Sequence, residues 1–141
     1  EPCDQAAAKF LILAGLKERW AELDLTMNPD LNCIAESYAN GLFLVASLKD
    51  ELVATGAWVP ADATTVQIVR MSVAAHYRGK GIGRAMFEAL FESAPPSCRR
   101  IILETCAHWE DAVRFYIRCG CKPTFLRDGD QHFEVILTAR E

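Results

Sequence analysis

Apolar positions along the chain recur with two different periods, and the switches between them mark out the elements. Phe10, Leu13, Leu16, Trp20 and Leu23 return at helical spacing across residues 5–23, with Lys17, Glu18 and Glu22 off that stripe and Asp4 as N-cap. After a loop from Asp24 to Asn28, Pro29 and Asp30 open a second helix, with Asp30 as cap and Leu31, Ile34, Ala35 and Tyr38 inward; Asn40-Gly41 ends it. The period then shortens. Leu42–Leu48, Leu52–Val59 and Thr65–Val73 read as strands, turned at Lys49-Asp50-Glu51 and looped at Pro60–Ala63. A helix runs from Gly81 to near Ser93, with Ile82, Ala85, Met86, Ala89 and Leu90 on one face and Pro95-Pro96 beyond its end. Arg100–Thr105 is a short strand. Trp109, Ala112, Val113, Tyr116 and Ile117 make another helical stripe, closed by Gly120 in the left-handed position and followed by Pro123. Thr124–Leu126 and Gln131–Thr138 form a hairpin around Asp128-Gly129. The predicted order is helix, helix, three strands, helix, strand, helix, two strands, with no internal repeat.

The junction between the third strand and the third helix carries the chemistry. It reads Arg78-Gly79-Lys80-Gly81-Ile82-Gly83-Arg84. The first N–H groups of a helix have no partner within it and sit at the positive end of its dipole. Glycines at 79, 81 and 83 remove the Cβ atoms that would keep a ligand off the backbone, and three cations surround the same spot. A pyrophosphate is the natural occupant. A Walker A loop is excluded, because Arg84-Ala85 follows Gly83 where a Lys and a hydroxyl residue are needed. A dinucleotide fingerprint counted from Gly79 or Gly81 ends on Arg84 or Met86 rather than glycine, so it is excluded too.

Composition sharpens this picture. The 141 residues fit a single domain over 1–141, and with 51% hydrophobic residues they supply a core. The net charge of −4 argues against nucleic acid as a partner and makes the basic cluster at 78–84 stand out. No apolar run is long enough to span a membrane and no signal segment is recognisable, so the expected location is cytoplasmic. The chain opens on Glu1 rather than Met, which reads as a processed or trimmed form. Six cysteines (3, 33, 98, 106, 119 and 121) invite a disulfide framework, but a chain of this size does not need one. Cys106-x-His108 and Cys119-x-Cys121 lack zinc spacing, so no metal is expected and the thiols read as free.

The remaining pattern, Arg78-x-x-Gly81-x-Gly83, resembles the acyl-CoA signature of the GNAT superfamily of N-acetyltransferases. A second stretch is similar to that family's last-helix pattern: Leu103-Glu104-Thr105, then Trp109 through Tyr116, with Ala112, Phe115-Tyr116 and Gly120 at the family spacings. The predicted element order also follows the family from its first helix onward. The resemblance implies an α/β (α+β) fold: a mixed, mostly antiparallel, splayed sheet flanked by helices, with the family's first edge strand missing or vestigial. It implies acetyl-CoA as co-substrate, with pantetheine along the third strand near Met71 and Val73 and the pyrophosphate on Arg78, Gly79, Lys80, Gly81, Ile82, Gly83 and Arg84. Tyr116 takes the general acid's position, although on residues alone it reads as core rather than acid. Trp109 stands where the family often has an asparagine that touches pantetheine. Gln67 stands where one branch has a glutamate base, and an amide cannot accept that proton; either a water chain or a carboxylate elsewhere does so, and Glu104, on the adjacent strand, is a nearby carboxylate that reads equally as an exposed strand charge. No base is assigned.

The activity implied is direct acetyl transfer to a primary amine of a small molecule or peptide. A catalytically silent acyl-CoA-binding module of the same fold is the alternative, and a nucleotide-phosphate binder is another. Trp20 to Tyr38 and Asp128 to His132 would face the acceptor, with His76 and His132 read as structural. Homodimers are common in the family, and the sequence is compatible with one.

Overall fold

The computed structural model describes residues 2–19 and 29–137. A 3-10 turn, Pro2–Asp4, leads into α1 (Gln5–Arg19). A second 3-10 turn, Pro29–Asn32, leads into the single-turn α2 (Ile34–Ser37). Three strands follow: β1 (Leu42–Leu48), β2 (Glu51–Asp62) and β3 (Thr65–Val73). Then come α3 (Ile82–Ser93), β4 (Arg100–Cys106), α4 (Glu110–Arg118), β5 (Lys122–Arg127) and β6 (Asp130–Ile136). The order is the predicted one. Among the described residues no strand precedes β1, which lies at the sheet edge.

The six strands form one sheet in the order β1-β2-β3-β4-β6-β5. Every neighbouring pair is antiparallel except β3 and β4, which run parallel and pair only over Thr65–Gln67 against Arg100–Ile102. Beyond those residues β3 stays with β2 up to Val73 and β4 stays with β6 up to Cys106. The two strands therefore part, and a wedge opens in the middle of the sheet.

Each face of the sheet has its own apolar cluster. On one face Met86, Phe87 and Leu90 of α3 pack with Trp58, Ile101, Leu103 and Phe133. On the other, Ala8 and Ile12 of α1 pack with Leu31, Ile34, Tyr38 and Ala57. Several predicted inward positions move. Phe10 is 76% exposed, because it stands two residues from both Ala8 and Ile12 and so about 200° round the helix from each. Ala35, Ala85 and Ala89 are exposed, Phe87 is buried in their place on α3, and Ile117 lies at the surface of α4. Pro60–Asp62, expected as a loop, continue β2 and pair with β3. Trp20, Leu23, the loop Asp24–Asn28 and Thr138 lie outside the described residues.

Candidate active site

The wedge between β3 and β4 is a cleft of about 630 Å³. It passes between the two faces of the sheet. From one side α1 lines it with Ile12, Gly15 and Leu16; from the other, Gly83, Phe115 and Tyr116 do so. The glycine turn borders it with Arg78, Gly79, Gly81 and Arg84, and the parted strands line it with Met71, Ser72, Val73, Glu104 and Thr105.

The turn has the conformation the glycines were expected to supply. Gly79 and Gly81 have φ of 76° and 83°, in the left-handed region, and a Cβ at either would meet nothing within 4 Å. Gly81 is the N-cap of α3, and no side chain caps the helix, so its first-turn N–H groups face the cleft mouth without a side-chain acceptor. Gly83 serves packing instead: a Cβ there would stand 3.3 Å from the Phe115 ring, so glycine lets α4 come close. Arg84 ties the same two helices, Nη1 donating to the Arg118 carbonyl at 3.4 Å, while its Nε donates to Glu88 within α3 at 3.2 Å. Arg78 folds back, its Nε donating to the Val73 carbonyl at 3.0 Å.

Strand β3 is bent at the cleft. Between Val69 and Ser72 it has one residue more than β2, and Arg70 takes φ of 56° there. This bulge re-aims the strand: Val69 and Ser72 face α1 while Met71 and Val73 join the α3 face. Two contacts hold it. The Thr55 hydroxyl donates to the Arg70 carbonyl at 2.8 Å. The Arg70 guanidinium grips Asp30 through Nε at 2.9 Å and Nη2 at 2.6 Å, and Tyr38 donates to the same carboxylate at 2.5 Å. Burial alone would raise the Asp30 pKa, but the bonds from Arg70 and Tyr38 and the Arg70 charge outweigh it and hold the carboxyl below its ordinary value. Burial, then the bond to Asp30, pushes the Tyr38 phenol up to about 12. Asp30 was expected as a helix cap, and Arg70 was not singled out; partners forty residues apart leave no local pattern to read.

Tyr116 lies where the two helices meet the wedge. Its ring packs against Phe87, Phe115 and Phe133, at centroid distances of 6.4, 5.2 and 5.8 Å. Burial drives its phenol well above the ordinary tyrosine value, with the neighbouring Cys121 and Cys119 adding to the shift, so the hydroxyl keeps its proton at neutral pH. Burial likewise pushes the Cys121 thiol up to about 12 and raises that of cleft-lining Cys119. Neither is a thiolate at neutral pH, and thiolate is the nucleophilic form.

Glu104 reaches the cleft from β4. It is 41% exposed and its Oε2 lies 3.0 Å from Nε2 of His132, its direct cross-strand partner on β6. Leu103 and Phe133 belong to the α3 face, so by strand alternation Glu104 and His132 face the α1 side. Gln67 shares that face but lines no part of the cleft. Of the sequence-predicted site residues, Met71, Val73, Arg78, Gly79, Gly81, Gly83, Arg84 and Tyr116 come together around one cleft. Lys80, Ile82 and Trp109 do not line it: Lys80 lies over the Tyr77 ring at 5.6 Å, Ile82 packs on the α3-side core, and Trp109 caps α4. His132, read as structural, stands beside a cleft residue; a lone histidine far along the chain carried no signal of that.

Comparison with known proteins gives a consistent result. The family model for the acetyltransferase (GNAT) family matches residues 8–121. A search of curated protein sequences returns no match. Among solved structures, an acetyltransferase of the GNAT family from Staphylococcus aureus Mu50 superposes with a TM-score of 0.87 at 20% identity, over 98% of this chain and 96% of that one. The PaiA N-acetyltransferase of Thermoplasma acidophilum, in complex with coenzyme A, gives 0.80 at 15% identity over 95% and 93%. An aminoglycoside 6'-N-acetyltransferase complexed with coenzyme A gives 0.76 at 16% identity over 100% and 94%.

Proposed function

Because the chain belongs to the acetyltransferase (GNAT) family, we propose that it transfers the acetyl group of acetyl-CoA directly to a primary amine of a small molecule or peptide. The observation that carries the reading is the through-sheet cleft, whose lining brings an uncapped helix N-terminus together with a phenol and a carboxylate. The residues fit the co-substrate. The glycine turn leaves open space where Cβ atoms would stand, and Arg78 and Arg84 flank it, as a pyrophosphate requires. Beyond the bulge, Met71 to Val73 lie where β4 has diverged, so this edge of β3 is available to an extended, amide-bearing arm.

Acetyl-CoA supplies an acetyl group activated as a thioester. The chain supplies position and proton control. Backbone around Met71, re-aimed by the bulge, faces the wedge and is suited to hold a carbonyl oxygen. Glu104 Oε2, on the α1 side, accepts the proton that an incoming ammonium must lose before it attacks. Tyr116 Oη, approaching from the α3–α4 side, holds the proton for the departing sulfur. The low-dielectric surroundings that raise the phenol raise the proton affinity of a thiolate there as well, so donor and acceptor remain matched. With Cys119 and Cys121 protonated, direct transfer is favoured over an acyl-cysteine route. A cytoplasmic setting suits six cysteines that are all free thiols.

The test begins with calorimetric titration of acetyl-CoA, with ATP and NAD as controls. Saturable binding of acetyl-CoA that is lost in an Arg78→Ala/Gly81→Ala double variant is expected. An amine panel, read by release of free thiol, then follows with Tyr116→Phe as comparison. Absence of acetyl-CoA binding by the unaltered protein would overturn the reading, and full turnover by Tyr116→Phe would remove the phenol from it.

A further inference from the structure

A lone carboxylate is a weak final holder of a proton taken from an ammonium, because ordinary carboxyl pKa values lie about six units below those of amines. The proton therefore needs somewhere to go. Beside Glu104 the structure places one group suited to receive it. His132 Nε2 is 3.0 Å from Glu104 Oε2, and the imidazole is 23% exposed. Its ring is also held: Phe125 stacks on it with centroids 4.3 Å apart and planes 15° from parallel. A register shift in β5 between Pro123 and Leu126 puts Phe125 there, and Gln131 pins the region by donating to the carbonyls of Phe125 and His132. A stacked ring at a strand partner has little freedom to swing away.

The surrounding charges leave Glu104 as the facing carboxylate. On β6, Glu134 stands two residues away and is taken by Arg100 of β4 at 2.9 Å; Asp130, two residues the other way, has Arg127 of β5 as its cross-strand partner. Lys122 of β5 pairs in register with Glu134, and Arg127 lies over Phe125 at 5.2 Å. Cys106, two residues on from Glu104 in β4, is a thiol opposite Asp130. Only Glu104 lies directly opposite His132.

We propose that His132 is the proton outlet of Glu104, a positioning residue that acts through the carboxylate and resets it. The inference rests on Glu104 as proton acceptor. With His132 in its Nδ1–H tautomer, the O–H bond formed at Oε2 breaks as an N–H bond forms at Nε2, leaving a carboxylate and an imidazolium, and the imidazolium returns to that tautomer by giving the Nε2 proton to water. An imidazole ordinarily titrates about two units above a carboxyl, so the pair ends with the proton on the better holder and with Glu104 ionised for the next acceptor.

The test has two arms. In the first, the ring protons of the three histidines (76, 108 and 132) are followed by NMR against pH, with His132→Gln identifying one set. Glu104→Gln is expected to displace the His132 ring-proton signals and leave those of His76 and His108 in place. Unmoved His132 signals overturn the proposal. In the second, turnover is measured with acetyl-CoA and the best amine of the panel. His132→Ala is expected to turn over several-fold more slowly with unchanged KM for acetyl-CoA, to shift the acidic limb of its pH profile, and to be restored by added imidazole. Rescue is what a merely structural histidine would not show. A His132→Ala profile that superimposes on the unaltered protein, while Glu104→Gln is inactive, removes the outlet and keeps the base. Full activity of Glu104→Gln removes the base reading itself.

Discussion

Replacing Asp30 by alanine is the perturbation that reports most directly on the cleft's construction. Its carboxylate accepts two bonds from Arg70 and one from Tyr38, and the ion-paired side chains of Arg70 and Asp30 are only 21% and 29% exposed. Breaking a fully buried pair from one side costs about 3–5 kcal/mol. With roughly a quarter of each side chain open to water, part of that loss is recovered by hydration, leaving about 2–3 kcal/mol. Unfolding 141 residues carries an entropy of about 0.3 kcal/mol/K, so the expected fall in Tm is about 7–10 °C. Tyr38→Phe removes one bond and should cost about 1 kcal/mol, or roughly 3 °C. Part of the pair's stabilisation holds Arg70 in its left-handed conformation, a strain of about 1–2 kcal/mol for a residue other than glycine. The sign of the pH dependence follows from the depressed Asp30 pKa. The contribution is complete above the unfolded carboxyl value of about 3.9 and is lost as pH falls through the lower folded value. Melts followed by circular dichroism from pH 7 to pH 2.5 check both parts. The unaltered protein and Asp30→Ala should differ fully at pH 7 and converge at the acid end. A difference under 2 °C at pH 7, or one that does not shrink in acid, would refute the reasoning.

Other substitutions test separate links. Thr55→Val strips the hydroxyl from a fully buried side chain that donates to the Arg70 carbonyl; a loss of about 1–3 kcal/mol is expected in urea unfolding, with turnover falling more than acetyl-CoA affinity. Gly81→Ala meets no atom within 4 Å but must hold φ of 83°, so about 1–2 kcal/mol of strain should appear as weaker acetyl-CoA binding in calorimetry or as a lower Tm. Phe133→Ala empties a core position that is 1% exposed and contacts the Tyr116 ring; about 3–5 kcal/mol should be lost, measured by thermal melting.

What the sequence disclosed and what it withheld divide along the range of the interactions. Arg78-x-x-Gly81-x-Gly83 was legible because a strand–turn–helix junction is local and glycine there has few other uses. Gly120 and Asp128-Gly129 were legible for the same reason, and both take the left-handed conformations such turns need. Periodicity located α1 and two of its inward residues, Leu13 and Leu16, but not the buried Ala8 and Ile12. Phe10 is the largest apolar residue there, yet Ala8, Ile12 and Gly15 lie on the side that meets the sheet, with Gly15 so close to β3 that a Cβ would lie 3.3 Å from the Ser72 hydroxyl oxygen. The bulge at Arg70 carried no signal, since arginine is not a residue one expects at φ of 56°. Its explanation lies in Asp30, Tyr38 and Thr55, which only the tertiary fold brings to it. The pairing of Glu104 with His132 depends on β4–β6 register, fixed by a core alternation that one sequence does not reveal.

The short ladder between β3 and β4 also bears on how the chain assembles itself. Residues 42–73 form an antiparallel meander whose contacts are near neighbours in sequence, and residues 100–136 form a second antiparallel fragment in which only β5 and β6 are a local hairpin, β4 pairing with β6 across α4 and β5. Three residue pairs, Thr65–Gln67 against Arg100–Ile102, join them, with α3 as the strap between. The meander and the β5–β6 hairpin have low contact order and can form quickly, whereas the β4–β6 ladder and the parallel seam must both wait for long loops to close, and the seam gains only three residue pairs when it does. Amide exchange should therefore resolve two cooperative units, with the seam opening at lower free energy than either interior. The gap that admits a ligand is, from the viewpoint of folding, the joint between two separately built halves.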